Sequence, residues 1–419
     1  MNKLLKTSFA QGLIWNYISI FFLAIGGVAF SFLIGVFYDA ETLGNFNLIY
    51  AYYIVLSQIG VWGSHMAVTK YVSEYAGDRE KINKILSCAI LAICFFTVGL
   101  GSLVWVSCHF IFYKFMGNVL LNSIPSIIIA IFFFAINKAV LGYLNGLSKM
   151  KEYAVFQSLR NIFIVMWIIV FAFHGVSGDK ISLCFTYTEI IIFLMEMPLI
   201  IKDKFRFHIS MEWLKKIIVF GTHIMPANIV LELSTKVDVL CLSWVLNSEK
   251  TVGVYSFAAL FAEGFYQLLV VIRRNINPLI TQKNVKNELE EFYEKIICMV
   301  RRIGYVLGIV CAVFIVLGYR ILCFLINDTN YYMATVPLII ILFAIVCNMK
   351  SIILGNILSQ TGYPAAESMN NVLTVLSNFI LNVIFISKWG MIGAALATGA
   401  SYYVFSINQK IIVKKKLSL

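Results

Sequence analysis

Lysines inside apolar stretches are the residues of this sequence whose type and position best suit chemistry. Lys138, Lys236 and Lys350 each lie within a predicted membrane span. A lysine near the centre of a bilayer costs about 2.5–3.5 kcal/mol on insertion scales, so it usually faces a water-filled cavity or an opposite charge. Because an ammonium group is a mobile point charge that suits phosphate, we expect these lysines to contact an anionic ligand.

Acidic and histidine side chains in the same stretches can orient the lysines. Glu232 precedes Lys236 by four residues, so the two share one helix face. The candidate residues of a substrate cavity are the three lysines and four further polar residues: Lys138, Lys236, Lys350, Asp238, Glu232, His65 and Glu263. Such a cavity is mixed in charge with a positive bias, which suits an anionic substrate.

The same residues have explanations that need no ligand. The acid and the lysine four residues apart can neutralise each other. Lys138 and Lys350 can reach lipid phosphates from the inner ends of their helices. His65 is expected to be a packed polar residue more often than a cavity residue, and Glu196, near the inner end of its span, is expected to be solvated. Their surroundings in the folded chain distinguish these explanations.

Twelve apolar stretches position these residues. Hydrophobic residues make up 60% of the chain, charged residues 13%, and the mean hydropathy is +0.87. A soluble fold cannot bury so much apolar surface, whereas about 20 apolar residues suffice for one membrane helix. The predicted spans are residues 13–37, 43–66, 85–108, 119–141, 158–174, 181–201, 217–246, 252–272, 303–326, 335–358, 368–387 and 391–409. The sequence therefore predicts an all-α integral membrane protein with about 12 transmembrane helices.

The second half of the chain repeats the first at a shift of 209 positions. The pairs that align are Gly12 with Gly221, Thr42 with Thr251, Gly44 with Gly253, Phe46 with Tyr255 and Gln58 with Gln267. Repeated membrane helices indicate two lobes around a substrate cavity. We predict a six-helix lobe at residues 1–201, a cytoplasmic linker at 202–216 and a second six-helix lobe at 217–419, related by a pseudo-two-fold axis around a central cavity.

Basic residues predict the orientation in the membrane. With an inside start at Lys3 and Lys6, 25 of the 33 Lys and Arg residues fall on inner segments and five on outer ones. This asymmetry places both termini in the cytoplasm. The net charge of +12 then reflects topology and contact with anionic membrane lipids, and nucleic acid is not an expected partner. The longest inner segment, residues 273–302, is predicted to be an amphipathic helix on the membrane surface or a docking site for a partner.

Motifs of catalysis and metal binding are missing from the sequence. The nine cysteines occur singly, without a Cys-x-x-Cys pair, so neither a zinc site nor a disulfide framework is predicted. There is no nucleophile motif and no Gly-rich phosphate loop. We therefore expect no enzymatic activity and no cofactor.

Four segments resemble polysaccharide-export flippases, the O-antigen repeat-unit flippase family of the MOP superfamily. They are LGYLNGLSKMKEYA at residues 141–154, KVD at 236–238 followed by TVGVYSFA at 251–258, SQTG at 359–362 and WGMIGAA at 389–395. The segments occur in the family's order and extend over most of the chain. The resemblance implies two six-helix bundles that face a central cavity and work by alternating access.

The resemblance also implies a substrate, namely an undecaprenyl-diphosphate-linked oligosaccharide that moves from the inner to the outer leaflet of a bacterial cytoplasmic membrane. On this interpretation Lys138, Lys236 and Lys350 contact the diphosphate, and Asp238 and Glu232 orient them. The glycan is expected to serve O-antigen and lipopolysaccharide synthesis. Whether the protein works alone or beside a polysaccharide polymerase and a chain-length regulator is left open by the sequence.

Two other functions remain as alternatives. Cation-coupled multidrug extruders of the same superfamily often keep an acid in the first helix. The first predicted span of this chain, residues 13–37, contains no Asp or Glu. Acids of the seventh span could instead couple transport to a H⁺ or Na⁺ gradient, so a multidrug exporter remains an alternative function. A membrane glycan polymerase would be an enzyme, and it usually needs a large outer loop that the predicted spans do not leave room for.

Overall fold

Helices make up all of the regular structure in the described part of the chain. The computed structural model describes residues 15, 25–111 and 117–417. The α-helices of these residues are α1 Ile25–Phe37, α2 Ala40–Val61, α3 Ser64–Glu74, α4 Arg79–Val106, α5 Asn118–Gly146, α6 Met150–Phe173, α7 Leu183–Lys202, α8 Met211–Leu246, α9 Glu249–Val285, α10 Leu289–Val313, α11 Arg320–Ile326, α12 Thr335–Cys347, α13 Met349–Ile353, α14 Ile357–Gln360 and α15 Pro364–Leu417. The prediction of an all-α membrane protein is confirmed.

Most residues of the twelve predicted spans are helical where the structure describes them. Most of the first span lies outside the described residues, as do Lys3 and Lys6, and its described part is α1. Eight helices of the described residues are long and apolar enough to cross a membrane. The last two predicted spans meet inside α15 at Gly390, whose φ of 55° is not helical. Glycine adopts this conformation without a steric penalty, so α15 consists of two helices.

Three predicted elements need correction. Residues 43–66 do not form one helix, because α2 ends at Val61 and α3 begins at Ser64, with Trp62 and Gly63 in left-handed conformations between them. Residues 335–358 do not form one helix, because α12 ends at Cys347 and two short helices, α13 and α14, complete the stretch. Residues 273–302 do not form a separate surface helix either. Helix α9 continues through Pro278 to Val285, and α10 begins at Leu289. A proline is tolerated inside a membrane helix where neighbouring groups satisfy the freed carbonyl, so the segment consists of two helix ends and a short turn.

Contacts along the chain define two compact units. The first contains Met1–Tyr38 and Asn45–Leu233, and the second contains Asp39–Gly44 and Ser234–Leu419. The boundary between them falls inside α8, whereas the predicted lobes were divided at the cytoplasmic linker. The lobe limits 1–201, 202–216 and 217–419 stay a prediction.

Within the first unit, α3 packs closely on the end of α5. Gly142 and Gly146 are four residues apart, and a Cβ atom on Gly142 would lie 2.5 Å from the backbone oxygen of His65. The Thr69 hydroxyl donates to that oxygen at 2.9 Å and to the Gly142 oxygen at 3.1 Å. Small residues at this spacing let membrane helices approach each other. The contact fixes His65 beside α5, which carries Lys138.

Within the second unit, Ala40 and Gly44 meet the start of α9 in a reciprocal contact. A Cβ atom on Gly44 would overlap the backbone oxygen of Glu249, and one on Gly253 would overlap that of Ala40. Gly44 and Gly253 are also a pair in the alignment of the two sequence repeats. Each glycine thus meets the residue that lies four positions before the other glycine, which is the pattern of a two-fold contact.

Candidate functional site

The first unit contains a carboxylate whose two oxygens both accept hydrogen bonds. Glu189 on α7 accepts from the Tyr53 hydroxyl at 2.8 Å and from the Asn137 amide at 2.8 Å. Arg160 on α6 donates through Nε at 2.6 Å and through Nη2 at 3.3 Å. Only 1% of the Glu189 side chain and 11% of the Arg160 side chain are exposed. Four helices therefore meet at one buried ion pair.

A phenylalanine next to this pair brings a second cation into the cluster. The Phe134 ring centre lies 4.6 Å from Cζ of Arg160 and 5.5 Å from Nζ of Lys138. A cation at this distance is attracted by the face of the ring. Lys138 makes no salt bridge to a described residue, because Glu189 is already paired with Arg160. Lys138 is thus the cation of this cluster that is left for another partner.

Two other predicted residues are electrostatic neighbours of Lys138. The carboxylates of Glu232 and Glu189 interact electrostatically with the Lys138 ammonium group. Lys138 in turn interacts electrostatically with the His65 imidazole. The His65 Nδ1 atom is buried and has no hydrogen-bond partner among the described residues. Lys138, Glu232 and His65 of the first unit are therefore close enough for their charges to interact.

The charge predictions for α6 and α7 were wrong at two positions. Arg160 lies at the start of the predicted span 158–174 and was counted among the 25 inner-segment basic residues, but only 11% of its side chain is exposed, because α6 already begins at Met150 and carries Arg160 into the bundle. Glu196 was expected to be solvated, yet it is fully buried and neither carboxylate oxygen has a hydrogen-bond partner among the described residues. Glu189, Glu196 and Glu232 give this part of the first unit three carboxylates beside the two cations Arg160 and Lys138.

A second polar cluster surrounds Asp238 in the second unit. The Asp238 carboxylate accepts from Tyr255 at 2.9 Å, from the Asn382 amide at 2.8 Å and from the Thr398 hydroxyl at 2.5 Å. The Oδ1 atom of Asn382 is buried without a partner among the described residues. These donors are neutral, so the hydrogen bonds of Asp238 do not go to a lysine. Within the described residues, no group of three His, Cys, Asp or Glu side chains could hold a metal ion.

The remaining predicted residues lie in different surroundings. Lys236 is half-buried, and Glu263 on α9 is exposed. Lys350 on α13 lies 4.7 Å from the Tyr293 ring centre and lines a cavity of about 230 Å³ within the second unit. The seven predicted residues therefore do not form a single cluster within either unit.

The loop after α5 is tied to the end of α7. Asp203 accepts a hydrogen bond from Tyr143 at 2.7 Å and one from Lys149 at 2.6 Å. Burial by itself would raise the pKa of Asp203, but these hydrogen bonds and the charges of Lys149 and Arg79 lower that pKa below its ordinary value of 3.8. Tyr143 and Lys149 are part of the 141–154 segment that carried the resemblance, so the segment has a structural role.

Comparison with known proteins places the chain in a family. The family model described as polysaccharide biosynthesis protein matches residues 9–282, which is more than half of the sequence. The chain belongs to the polysaccharide biosynthesis protein family. No significant match to a curated protein was found.

Solved structures show which fold this family member has. The structure of the lipid II flippase MurJ in an inward closed conformation matches with a TM-score of 0.74 and 20% identity, over 96% of this chain and 87% of that one. An inward-facing multidrug resistance MATE family transporter of the MOP superfamily also matches with a TM-score of 0.74, at 14% identity, over 96% and 94% of the two chains. The polysaccharide biosynthesis protein described here therefore has the two-bundle fold of MOP transporters, as the sequence predicted.

Proposed function

We propose that this protein is a flippase that moves an undecaprenyl-diphosphate-linked oligosaccharide across the bacterial cytoplasmic membrane by alternating access. The observation that carries the proposal is Lys138, a half-buried cation without a salt bridge to a described residue, beside the Arg160–Glu189 pair. The polysaccharide biosynthesis family and the fold shared with a lipid II flippase support it. The proposed glycan is an O-antigen or similar repeat unit.

The chemistry of such a cargo matches the polar groups of the chain. A diphosphate needs positive charge, a hydrated glycan needs a polar route, and the polyprenyl tail can stay in lipid. We propose Lys138 and Lys236 as contacts of the diphosphate, with Glu232 as an acid that orients them. Lysine suits this role because its ammonium group can follow a moving phosphate as a point charge. His65 and Glu263 remain proposed polar residues of the route.

We also propose that transport is coupled to a H⁺ or Na⁺ gradient at Asp238. A half-buried carboxylate that is bonded only to neutral groups can be compensated by a bound proton or by a metal cation. The carboxylate, the Thr398 hydroxyl and the unpartnered Oδ1 of Asn382 are oxygen donors of the kind that hard cations prefer. Asp238→Asn should abolish any rise in melting temperature that Na⁺ produces in the purified protein, and an unchanged rise would place the ion elsewhere.

The proposed location is the cytoplasmic membrane with both termini inside, upstream of a polysaccharide polymerase and a chain-length regulator. The test is deletion of the gene, followed by measurement of both lipid-linked oligosaccharide and surface glycan. Complementation with Lys138→Ala should reduce surface glycan by at least tenfold, and complete lipid-linked units should collect on the inner leaflet. Lys215→Ala, which removes an exposed lysine at the start of α8, is the matched control and should restore export.

Other outcomes would change the proposal. Full export with Lys138→Ala at normal protein level would remove the lysine from the mechanism. Single units that reach the outer face without being joined would point to a polymerase. Unchanged glycan pools in the deletion strain would point to drug export, which the structural match to a multidrug transporter makes the second candidate.

A further inference from the structure

The cavity lined by Lys350 has a second lysine and lacks an acid. It lies within the second unit between α10, the broken stretch α12–α14 and the end of α15, and Lys410 on α15 also lines it. No Asp or Glu is among the residues that line it. Neither lysine makes a salt bridge to a described residue. Two positive charges therefore face one cavity without a compensating charge in its wall.

Hydrogen bonds between helices hold the wall of this cavity in shape. The hydroxyls of Ser351 and Ser406 are 2.6 Å apart, and they join α13 to α15. The buried Gln409 amide donates at 2.8 Å to the backbone oxygen of Leu354, in the turn between α13 and α14. The break in the tenth span thus provides the Leu354 carbonyl, which accepts a hydrogen bond from α15 in the wall of the cavity. A site with fixed hydroxyls and two mobile lysines suits a phosphate group.

The predicted orientation puts the cavity at the level of the inner leaflet. Lys410 is exposed, so the cavity reaches the surface, and the positive-inside pattern puts this end of α15 on the cytoplasmic side. Next to Lys410 on the same helix, Ile407 and Ile411 are 57% and 58% exposed. Exposed apolar side chains beside a basic opening provide a surface for acyl chains. The volume of about 230 Å³ is below the range of about 300–1,000 Å³ that drug-sized ligands occupy, so a lipid-linked glycan is a poor fit.

We propose that this cavity binds the phosphate headgroup of an anionic phospholipid from the inner leaflet. Lys350 and Lys410 contact the phosphate, Ser351 and Ser406 offer hydroxyls, and the acyl chains lie against Ile407 and Ile411. Basic pockets between membrane helices on the cytoplasmic side are known to hold such headgroups. This site belongs to the second unit and is separate from the proposed diphosphate contact at Lys138.

The test compares lipid binding by the full-length protein in detergent, using phosphatidylglycerol and phosphatidylcholine as probes. Wild-type protein should retain phosphatidylglycerol preferentially in native mass spectrometry. The double variant Lys350→Gln with Lys410→Gln should bind it about 30-fold more weakly, because a basic residue near an anionic surface contributes about 1 kcal/mol and 1.4 kcal/mol corresponds to tenfold. Lys415→Gln, an exposed lysine on the same helix that does not line the cavity, should bind normally.

Two further arms keep the result interpretable. Lys350→Arg with Lys410→Arg retains both charges and should retain binding, which separates loss of charge from loss of folding. Inorganic phosphate is added alone at the same concentration, and stabilisation by phosphate that depends on both lysines would assign the site to a free anion. Equal binding of phosphatidylglycerol by the wild-type protein and the glutamine variant would overturn the proposal.

Discussion

Glu189 explains how an arginine can lie inside a bundle of apolar helices. Both carboxylate oxygens are used, by Tyr53, by Asn137 and by two nitrogens of Arg160. A buried ion pair returns its desolvation cost only when the remaining hydrogen-bonding capacity is satisfied. The hydrogen bonds from Tyr53 and Asn137 therefore stabilise the buried ion pair together with the attraction between its opposite charges.

Removal of one partner of this pair should destabilise the protein strongly. Glu189→Ala leaves Arg160 buried without a counter-charge, so we expect the free energy of unfolding to fall by about 3–5 kcal/mol. Replacement of both residues, as Arg160→Met with Glu189→Leu, should recover only part of that loss, because no buried charge remains but Tyr53 and Asn137 lose their carboxylate acceptor. Chemical unfolding in mixed micelles measures both changes. An equal loss in the double variant would show that the pair has a role beyond mutual neutralisation.

The sequence identified some residues of the buried cluster and missed others, and the difference has a physical reason. Lys138 stood out because it is a charge inside an apolar run. Arg160 did not, because it lies at the start of the predicted span 158–174 and was counted with the inner segments, whereas its helix begins at Met150. Glu196 could be located but its burial could not, since burial depends on which helices face α7. Helical periodicity reports the faces of one helix, and the partner across a bundle is not part of that signal.

At the scale of helices, Gly142 allows α3 to lie against α5. A Cβ atom at this position would be 2.5 Å from the His65 backbone oxygen, and a backbone atom cannot move aside as a flexible side chain does. Gly142→Ala should therefore destabilise the protein by about 1–3 kcal/mol, the usual cost of overpacking. Gly264→Ala is the matched control, since a Cβ on Gly264 meets nothing within 4 Å.

The control substitution is expected to change stability in the opposite direction. Alanine favours a helix over glycine by up to about 1 kcal/mol, and α9 offers the new methyl group open space at Gly264. Thermal unfolding of both variants gives the comparison. If Gly142→Ala and Gly264→Ala changed the melting temperature in the same direction, close packing at Gly142 would not be what limits stability.

The bond between the loop after α5 and the end of α7 should respond to pH. The pKa of Asp203 is lower in the folded protein than its ordinary value of 3.8. Its contribution is therefore present above about pH 4 and is lost as the pH falls through the folded pKa. Because Lys149 is partly exposed, we expect only about 1 kcal/mol from this group. Asp203→Asn should lose this pH-dependent part, and the difference between melting curves of the two proteins from pH 7 to pH 3 measures it.

Helix ends and breaks were harder to predict than the helices themselves. The tenth span is apolar from Val336 to Cys347 and again from Ile352 to Leu354, so hydropathy gave no strong reason to divide it. Its breaks follow Cys347 and Ile353, near Asn348 and Gly355, which destabilise a helix only mildly. The turn there is held by the bond from Gln409 on α15, a contact of distant residues that a local pattern cannot reveal.

At the scale of the whole molecule, the sequence repeat has a counterpart in the reciprocal contact of Gly44 and Gly253. Each substitution, Gly44→Ala or Gly253→Ala, places a methyl group onto a backbone oxygen of the other segment. Either one should separate the same pair of helices and cost about 1–3 kcal/mol. Once they are separated, the second substitution should cost less than it does alone.

A double-mutant cycle tests this coupling. The coupling energy of the two glycines should exceed about 0.5 kcal/mol, whereas residues without a shared partner add within about 0.3–0.5 kcal/mol. Gly44→Ala with Gly142→Ala, which lie in different contacts, is the control cycle and should be additive. Additive costs for Gly44 and Gly253 would mean that the two positions do not share one contact.

The reciprocal contact also limits how the two halves of the gene can diverge. After a duplication, each copy would inherit a glycine that must lie against the other copy's backbone. A larger residue in place of either glycine is then harmful even if the other glycine is kept, because the added side chain meets a backbone oxygen of the other half. The two halves are therefore free to drift at lipid-facing positions but evolve as one unit at this crossing.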